Sequence, residues 1–200
     1  MKPSPFERYD DGDIRALITG FPLAWVTAAA SPATTSLLPL IGDYDGAGRL
    51  VTLIGHCGRT NPLHAALEAD PRAILLFSGP QGYISPEHAG RRDWGPTWNY
   101  AQLVVEADVR FDAGLSEESL DRRIDAMEAG RPAPWRKGEL GSRYTGMLDR
   151  IIGFRAQVTG VEGRFKLGQD ERPETLRSIL ATHPDAELGR WMERFNPGRV

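Results

Sequence analysis

Apolar residues recur along this chain in two rhythms. Ile14, Leu17 and Ile18 fall at i, i+3 and i+4 behind Asp10-Asp11-Gly12-Asp13, the spacing of one helix face, and predict a short helix ending at Gly20. Pro22-Leu23-Ala24-Trp25-Val26-Thr27 then reads as a strand and Thr35-Ser36-Leu37-Leu38-Pro39-Leu40-Ile41 as a second. The turn Asp45-Gly46-Ala47-Gly48 leads into a third, Arg49 to Gly55. Pro39 has no N–H to give to a ladder, so its strand is predicted to be an edge, to be bulged, or to leave one side open for something else. A helix over 62–69 stops at Asp70-Pro71. Arg72-Ala73-Ile74-Leu75-Leu76-Phe77 is a near-continuous apolar run of strand length, broken by Gly79-Pro80-Gln81-Gly82 before Tyr83-Ile84-Ser85-Pro86 resumes briefly.

Residues 87–95 read as a polar loop. Thr97 to Phe111 is the longest predicted strand, its later half alternating Val105, Ala107, Val109 and Phe111 against Glu106, Asp108 and Arg110, one face buried and the other wet. Ser116 is placed to cap a helix carrying Leu120, Ile124 and Met127, which Gly130 ends. Tyr144, Met147, Leu148, Ile151 and Ile152 form the stripe of a helix over about 142–152, and Phe154 to Lys166 alternates as a last strand. Pro173 opens a helix with Leu176, Ile179 and Leu180, and Leu188, Trp191, Met192 and Phe195 mark another. About six strands, mostly joined by short turns and with little β-α-β alternation, predict a mainly β fold. The expected form is an antiparallel barrel with helices added at about 116–150 and a helical tail at about 172–196. No repeat or linker divides it, so residues 1–200 are expected to form a single domain. Neither a dinucleotide fingerprint nor a GxxxxGK phosphate loop is present.

Composition narrows the choice. With 40% hydrophobic and 26% charged residues the chain is not disordered as a whole, and its formal net charge of −3 offers no global attraction for nucleic acid. Cys57 is the single cysteine, which excludes an intramolecular disulfide framework and a multi-cysteine zinc site and fits a reducing compartment. Met1-Lys2-Pro3-Ser4-Pro5-Phe6-Glu7 lacks the apolar core of a signal peptide, and no apolar run has the length of a membrane span. A cytoplasmic protein with no membrane association is expected.

The chemistry concentrates in Gly55-His56-Cys57-Gly58-Arg59-Thr60-Asn61-Pro62, where a strand hands over to a helix with Asn61 as N-cap and Pro62 as first helical residue. Such a join gathers free N–H groups at the positive end of a helix dipole beside a guanidinium and suits a phosphate or carboxylate; an ordinary capped helix with a solvated arginine is the plainer reading. His56 and His64 lack metal-ligand spacing, and His56 is expected to bond locally at the strand end. Cys57 is either a thiol made acidic by Arg59 or a small apolar filler, the second being preferred. The pairs Glu117-Glu118 and Asp170-Glu171 read as solvated charge. Trp98 and Tyr100 should point to one side of their strand, as part of an aromatic core or interface, or as a wall against a planar ligand.

Four motifs in order carry a resemblance: Gly55 to Pro62, Gly79-Pro80-Gln81-Gly82-Tyr83-Ile84-Ser85-Pro86, Pro96-Thr97-Trp98-Asn99-Tyr100 and Gly163-Arg164-Phe165-Lys166-Leu167-Gly168-Gln169. Together they resemble the PaiB family of FMN-binding negative transcriptional regulators, among the split-barrel flavoproteins that include pyridoxamine 5′-phosphate oxidase. The resemblance covers about Phe6 to Leu180. It implies a six-stranded antiparallel split barrel and a homodimer with one FMN per subunit in a groove between the chains. By that likeness Arg59, Thr60 and Asn61 hold the phosphate with His56 close by. Leu38, Pro39 and Leu40 run along the isoalloxazine together with Thr52, Leu53 and Ile54. Trp98 and Asn99 approach the ring or ribityl chain, and Lys166 and Gln169 reach in, from this subunit or the partner. The family label implies DNA as a partner, although no helix-turn-helix with a basic face is visible. The alternative is a flavin-dependent oxidoreductase of the pyridoxamine 5′-phosphate oxidase type, for which no obvious acid or base stands out. A haem-binding relative would rest on His56 as ligand.

Overall fold

The structure, a computed structural model, describes residues 4–199. Met1–Pro3, the start of the stretch read for a leader, lie outside the described residues. Short 3-10 turns occur at Pro5–Glu7 and Lys137–Leu140. The other elements are α1 (Asp11–Gly20), β1 (Leu23–Ala28), β2 (Ser31–Pro39), β3 (Ile41–Tyr44), β4 (Leu50–Gly58), α2 (Pro62–Ala69), β5 (Arg72–Ile84), β6 (Thr97–Asp112), α3 (Leu115–Glu128), α4 (Arg143–Leu148), β7 (Ile151–Lys166), α5 (Pro173–Thr182) and α6 (Ala186–Arg194). No described helix is long and apolar enough to cross a membrane.

The architecture is mixed α/β, not mainly β. Its antiparallel sheet has seven strands in the order β2-β1-β5-β6-β7-β4-β3, and β2 and β3 stand at its two ends without pairing to close it. The expected count of six fails at Pro39-Leu40. The run Thr35–Ile41 does not continue as one strand; Leu40 leaves the ladder, its N–H donating to the Pro22 carbonyl at 2.8 Å, and the chain re-enters at the opposite margin as β3. Pro39 is the last residue of β2, opposite Leu23, and β2 is an edge, one of the three outcomes expected from the missing N–H.

Three further boundaries differ from expectation. β5 runs unbroken through Gly79-Pro80: its buried positions step by two from Ala73 to Gly79, then Pro80 is buried as well, a slip of one residue that absorbs a proline inside a strand. Ile151 and Ile152 do not extend a helix from 142; they pair with Gly58 and Cys57 as the start of β7, leaving α4 only Arg143–Leu148. Ser116 is not the cap of α3. The helix begins one residue earlier, and the Ser116 hydroxyl accepts the Gly153 N–H at 3.0 Å, tying α3 to β7.

Two compact units share the chain. The larger comprises Asp11–Phe77 and Val104–Glu162. Its core holds Leu17, Ile18, Leu40, Leu53, Ile54, Leu63, Leu67, Leu75, Phe77 and Phe154, all almost fully buried. Fully burying such a side chain contributes about 1.5–3 kcal/mol, so α1 and α2 are held by their apolar faces more than by propensity. The smaller unit comprises Ser78–Leu103, Gly163 onward and the N-terminal residues up to Asp10. There Phe165 stacks on Trp191 and Phe195 with centroids 6.2 and 4.8 Å away, and the Tyr9 hydroxyl accepts the Gly163 N–H at 2.9 Å.

Candidate functional site

The β4–α2 turn takes its shape from local sequence. The Arg59 N–H donates to the Arg150 carbonyl and the Asn61 N–H to Gly58, both at 2.9 Å, which fixes the path out of the strand. Asn61 caps α2 by accepting the Leu63 N–H at 2.9 Å, with Pro62 at the first helical position. Both ends of its amide are engaged, because the same Oδ1 accepts from the Ser36 hydroxyl at 3.2 Å and Nδ2 lies 3.0 Å from that oxygen. Arg59 and Thr60 are exposed. Nε of Arg59 donates to the Asp149 carbonyl at 3.0 Å, orienting the guanidinium, while among the described residues its terminal nitrogens and the Thr60 hydroxyl have no partner. That donor set fits a phosphate: two parallel guanidinium N–H groups and a hydroxyl at a helix start.

Ladder positions sort the residues expected along a planar ligand. Thr52, Leu53 and Ile54 face β3 on one side and β7 on the other, opposite Asp43 and Gln157, Gly42 and Ala156, Ile41 and Arg155. Their backbone groups are thus engaged between two neighbours, and the Leu53 and Ile54 side chains are core. The Thr52 hydroxyl donates to Asp43 at 3.0 Å. Asp43 also accepts from Arg122 and Arg155; burial opposes its charge, but these two arginines and Thr52 hold the carboxyl below its ordinary range. Leu38 and Pro39 differ, since β2 has β1 on one side only and its other margin carries unpaired backbone groups. Beside that margin, Leu23, Trp25, Leu37 and Ile74 are 50, 48, 45 and 43% exposed. The register sets Trp25 opposite Leu37, Leu23 opposite Pro39 and Thr27 opposite Ile74, so these residues share one face.

His56 turns toward α3, with Nδ1 3.1 Å from the Ser119 hydroxyl oxygen. Burial, then the nearby Arg123 cation, depress its pKa to about 4, so the imidazole is neutral at pH 7. The local bond expected at the strand end is not formed; the ring's partner lies 63 residues away on α3. Cys57 is buried, which pushes its thiol up to about 11 and makes it a filler, not a nucleophile. Glu117 and Glu118 are not merely solvated: Glu117 pairs with Lys137 at 2.8 Å and Glu118 with Arg155 at 3.0 Å.

In the smaller unit, Trp98 is 55% exposed and meets Tyr83 edge to face at 5.8 Å. Lys166 donates to the Thr97 hydroxyl and forms no ion pair among the described residues. Asn99 is buried, its amide 3.5 Å from the Met192 sulfur. Gln169 closes the turn at Gly168 by accepting the Leu167 N–H at 2.7 Å and donating to the Phe165 carbonyl at 2.6 Å. Trp98 and Lys166 thus keep groups a ligand can use, while Asn99 and Gln169 are committed to the fold. Sequence reasoning overlooked Ser36, Ser119 and Arg123. The only signal for Arg123 was its place beside the apolar positions Leu120 and Ile124. No described cluster of His, Cys, Asp or Glu could hold a metal ion.

Over 131 residues the chain is 30% identical to "Protease synthase and sporulation protein PAI 2" of Bacillus subtilis (strain 168). That match covers 64% of this chain and 62% of the relative, so the chain spans less than two thirds of the relative's length. The fold is similar to the FAD and haem binding protein of Mycobacterium smegmatis, with a TM-score of 0.57 and 15% identity over 80% of this chain and 72% of that one. It is also similar to the flavocytochrome Anf3 of Azotobacter vinelandii, with a TM-score of 0.54 and 17% identity over 79% and 68% of the two chains. Residues 1–160 match the family model described as "Putative FMN-binding domain", and the chain belongs to that family.

Proposed function

We propose that this chain is an FMN-binding protein that holds the flavin phosphate at the β4–α2 turn and the isoalloxazine along the open margin of β2, in a homodimer formed over the adjoining apolar face. The observation that carries the reading is the turn itself: a guanidinium oriented through Nε with its terminal nitrogens free, beside the free Thr60 hydroxyl. The backbone of β2 offers hydrogen bonds for the polar edge of a flat ring, while Trp25 and Leu37 supply apolar surface next to it. Bound flavin supplies the redox chemistry; the chain grips, orients and shields it.

Family membership and the likeness to PAI 2 support this reading. The resemblance to the PaiB regulators further implies a regulatory use of flavin, which predicts salt-sensitive retention on promoter DNA; no retention at low ionic strength would remove that role and leave flavin binding standing. The direct test is the yellow chromophore of purified protein, identified as FMN after denaturation. Arg59→Ala should weaken FMN binding by about 1.5–3 kcal/mol, roughly ten- to a hundredfold, through loss of a charge-assisted contact. Unchanged affinity in that variant would remove the phosphate from this turn.

A further inference from the structure

Within the larger unit, the insertion between β6 and β7 encloses a cavity of about 200 Å³ against β4. Leu120, Ile124, Trp135 and Leu148 make its walls apolar, and Met147, 55% exposed, stands at its rim. An apolar cavity of about 150 Å³ takes benzene, so this one admits a single substituted ring. Its polar groups are few and differ in how far they are committed. Lys137 is spent on Glu117 and Asp121 at 2.8 and 2.7 Å, and the Tyr144 hydroxyl donates to Glu117 at 3.2 Å. Arg123 is half-buried and, among the described residues, has no hydrogen bond, ion pair or ring partner. Burial lowers its pKa without changing its charge near neutrality. A half-buried guanidinium with no protein acceptor keeps its N–H donors available to a ligand.

His56 provides the second handle. The Ser119 hydroxyl has one proton and gives it to the Ser116 carbonyl at 2.9 Å, so at 3.1 Å from Nδ1 it accepts, and Nδ1 carries the imidazole proton. Nε2 of the neutral ring is therefore an acceptor, and His56 lines the cavity. An acceptor and an unmatched cation on one apolar chamber specify a complementary molecule.

We infer that this cavity binds a monocyclic aromatic carboxylate that also carries a hydroxyl or amino donor, with Arg123 taking the carboxylate, His56 Nε2 accepting from the donor, and Leu120, Ile124 and Trp135 enclosing the ring. This site is separate from the proposed flavin phosphate site at Arg59 and does not depend on it. Calorimetric titration of the full chain as purified, with or without flavin, with 3-hydroxybenzoate, benzoate and 3-hydroxybenzamide tests it. 3-Hydroxybenzoate should bind, benzoate several-fold more weakly, and the uncharged amide more weakly still by tenfold or more. Arg123→Gln should reduce 3-hydroxybenzoate affinity at least tenfold with flavin absorbance unchanged, and Ile124→Trp, which fills the chamber, should abolish binding even if the arginine variant folds poorly. No binding of 3-hydroxybenzoate at millimolar concentration, equal affinity for the amide, or indifference to both substitutions overturns the assignment. Loss of FMN in Arg123→Gln also overturns it, by making the chamber part of the flavin site.

Discussion

His56 shows how one residue's surroundings become a property that can be measured. Its ring is held neutral by burial and by Arg123, with a folded pKa of about 4 against an ordinary 6.5. Below 6.5 the unfolded chain takes up a proton that the folded chain refuses until about pH 4, so stability is fully present above 6.5 and declines as pH falls through that window. Urea midpoints should drop between pH 6.5 and 4, and His56→Gln should flatten that part of the profile; an identical slope in the variant would place the titration elsewhere. Asn61 makes the complementary point about legibility. Its capping role was readable because the Leu63 N–H it accepts lies two residues away, as was the proline that follows. Its bond to Ser36, 25 residues distant, and the His56 bond to Ser119, 63 residues distant, depend on strand register and helix docking and leave no local mark.

At the scale of elements, the boundaries that sequence periodicity placed well are those whose signals are internal. α1, α5 and α6 carry their own apolar spacing, and β6 its own alternation. Where a tertiary partner decides, the pattern misleads: Ile151 and Ile152 fit a helical stripe but are claimed by β4 as strand residues. Gly153, next in that strand, shows how closely β7 and α3 approach. A Cβ built there would overlap the Leu115 carbonyl and come within 2.5 Å of the Ser116 nitrogen, both backbone, so no side-chain rotation relieves it. Gly153→Ala should therefore cost on the order of 3 kcal/mol in chemical denaturation and also disturb the Ser116 bond. A cost below about 0.5 kcal/mol would mean that the helix can retreat freely.

At the scale of the whole molecule, what remains exposed is as informative as what is buried. Leu23, Trp25, Leu37 and Ile74 form one apolar face in the larger unit, and surfaces of this kind mark interaction sites. If two copies pair there, Trp25→Glu combined with Leu37→Glu should leave the isolated fold within about 0.5 kcal/mol, because both side chains already face solvent in the single chain. The pair should shift the protein to monomers in sedimentation and lower its flavin content; dimers that persist would put the interface elsewhere. The sheet's end strands were harder to foresee, because nothing local announces that a run of residues will part company with itself at Leu40. Yet that hand-off joins β2 and β3, the outermost strands, through a single buried residue. Tension or fraying at either margin is passed directly to the other through a few covalent bonds, so the two should loosen together and lock together, and whatever steadies one border steadies both.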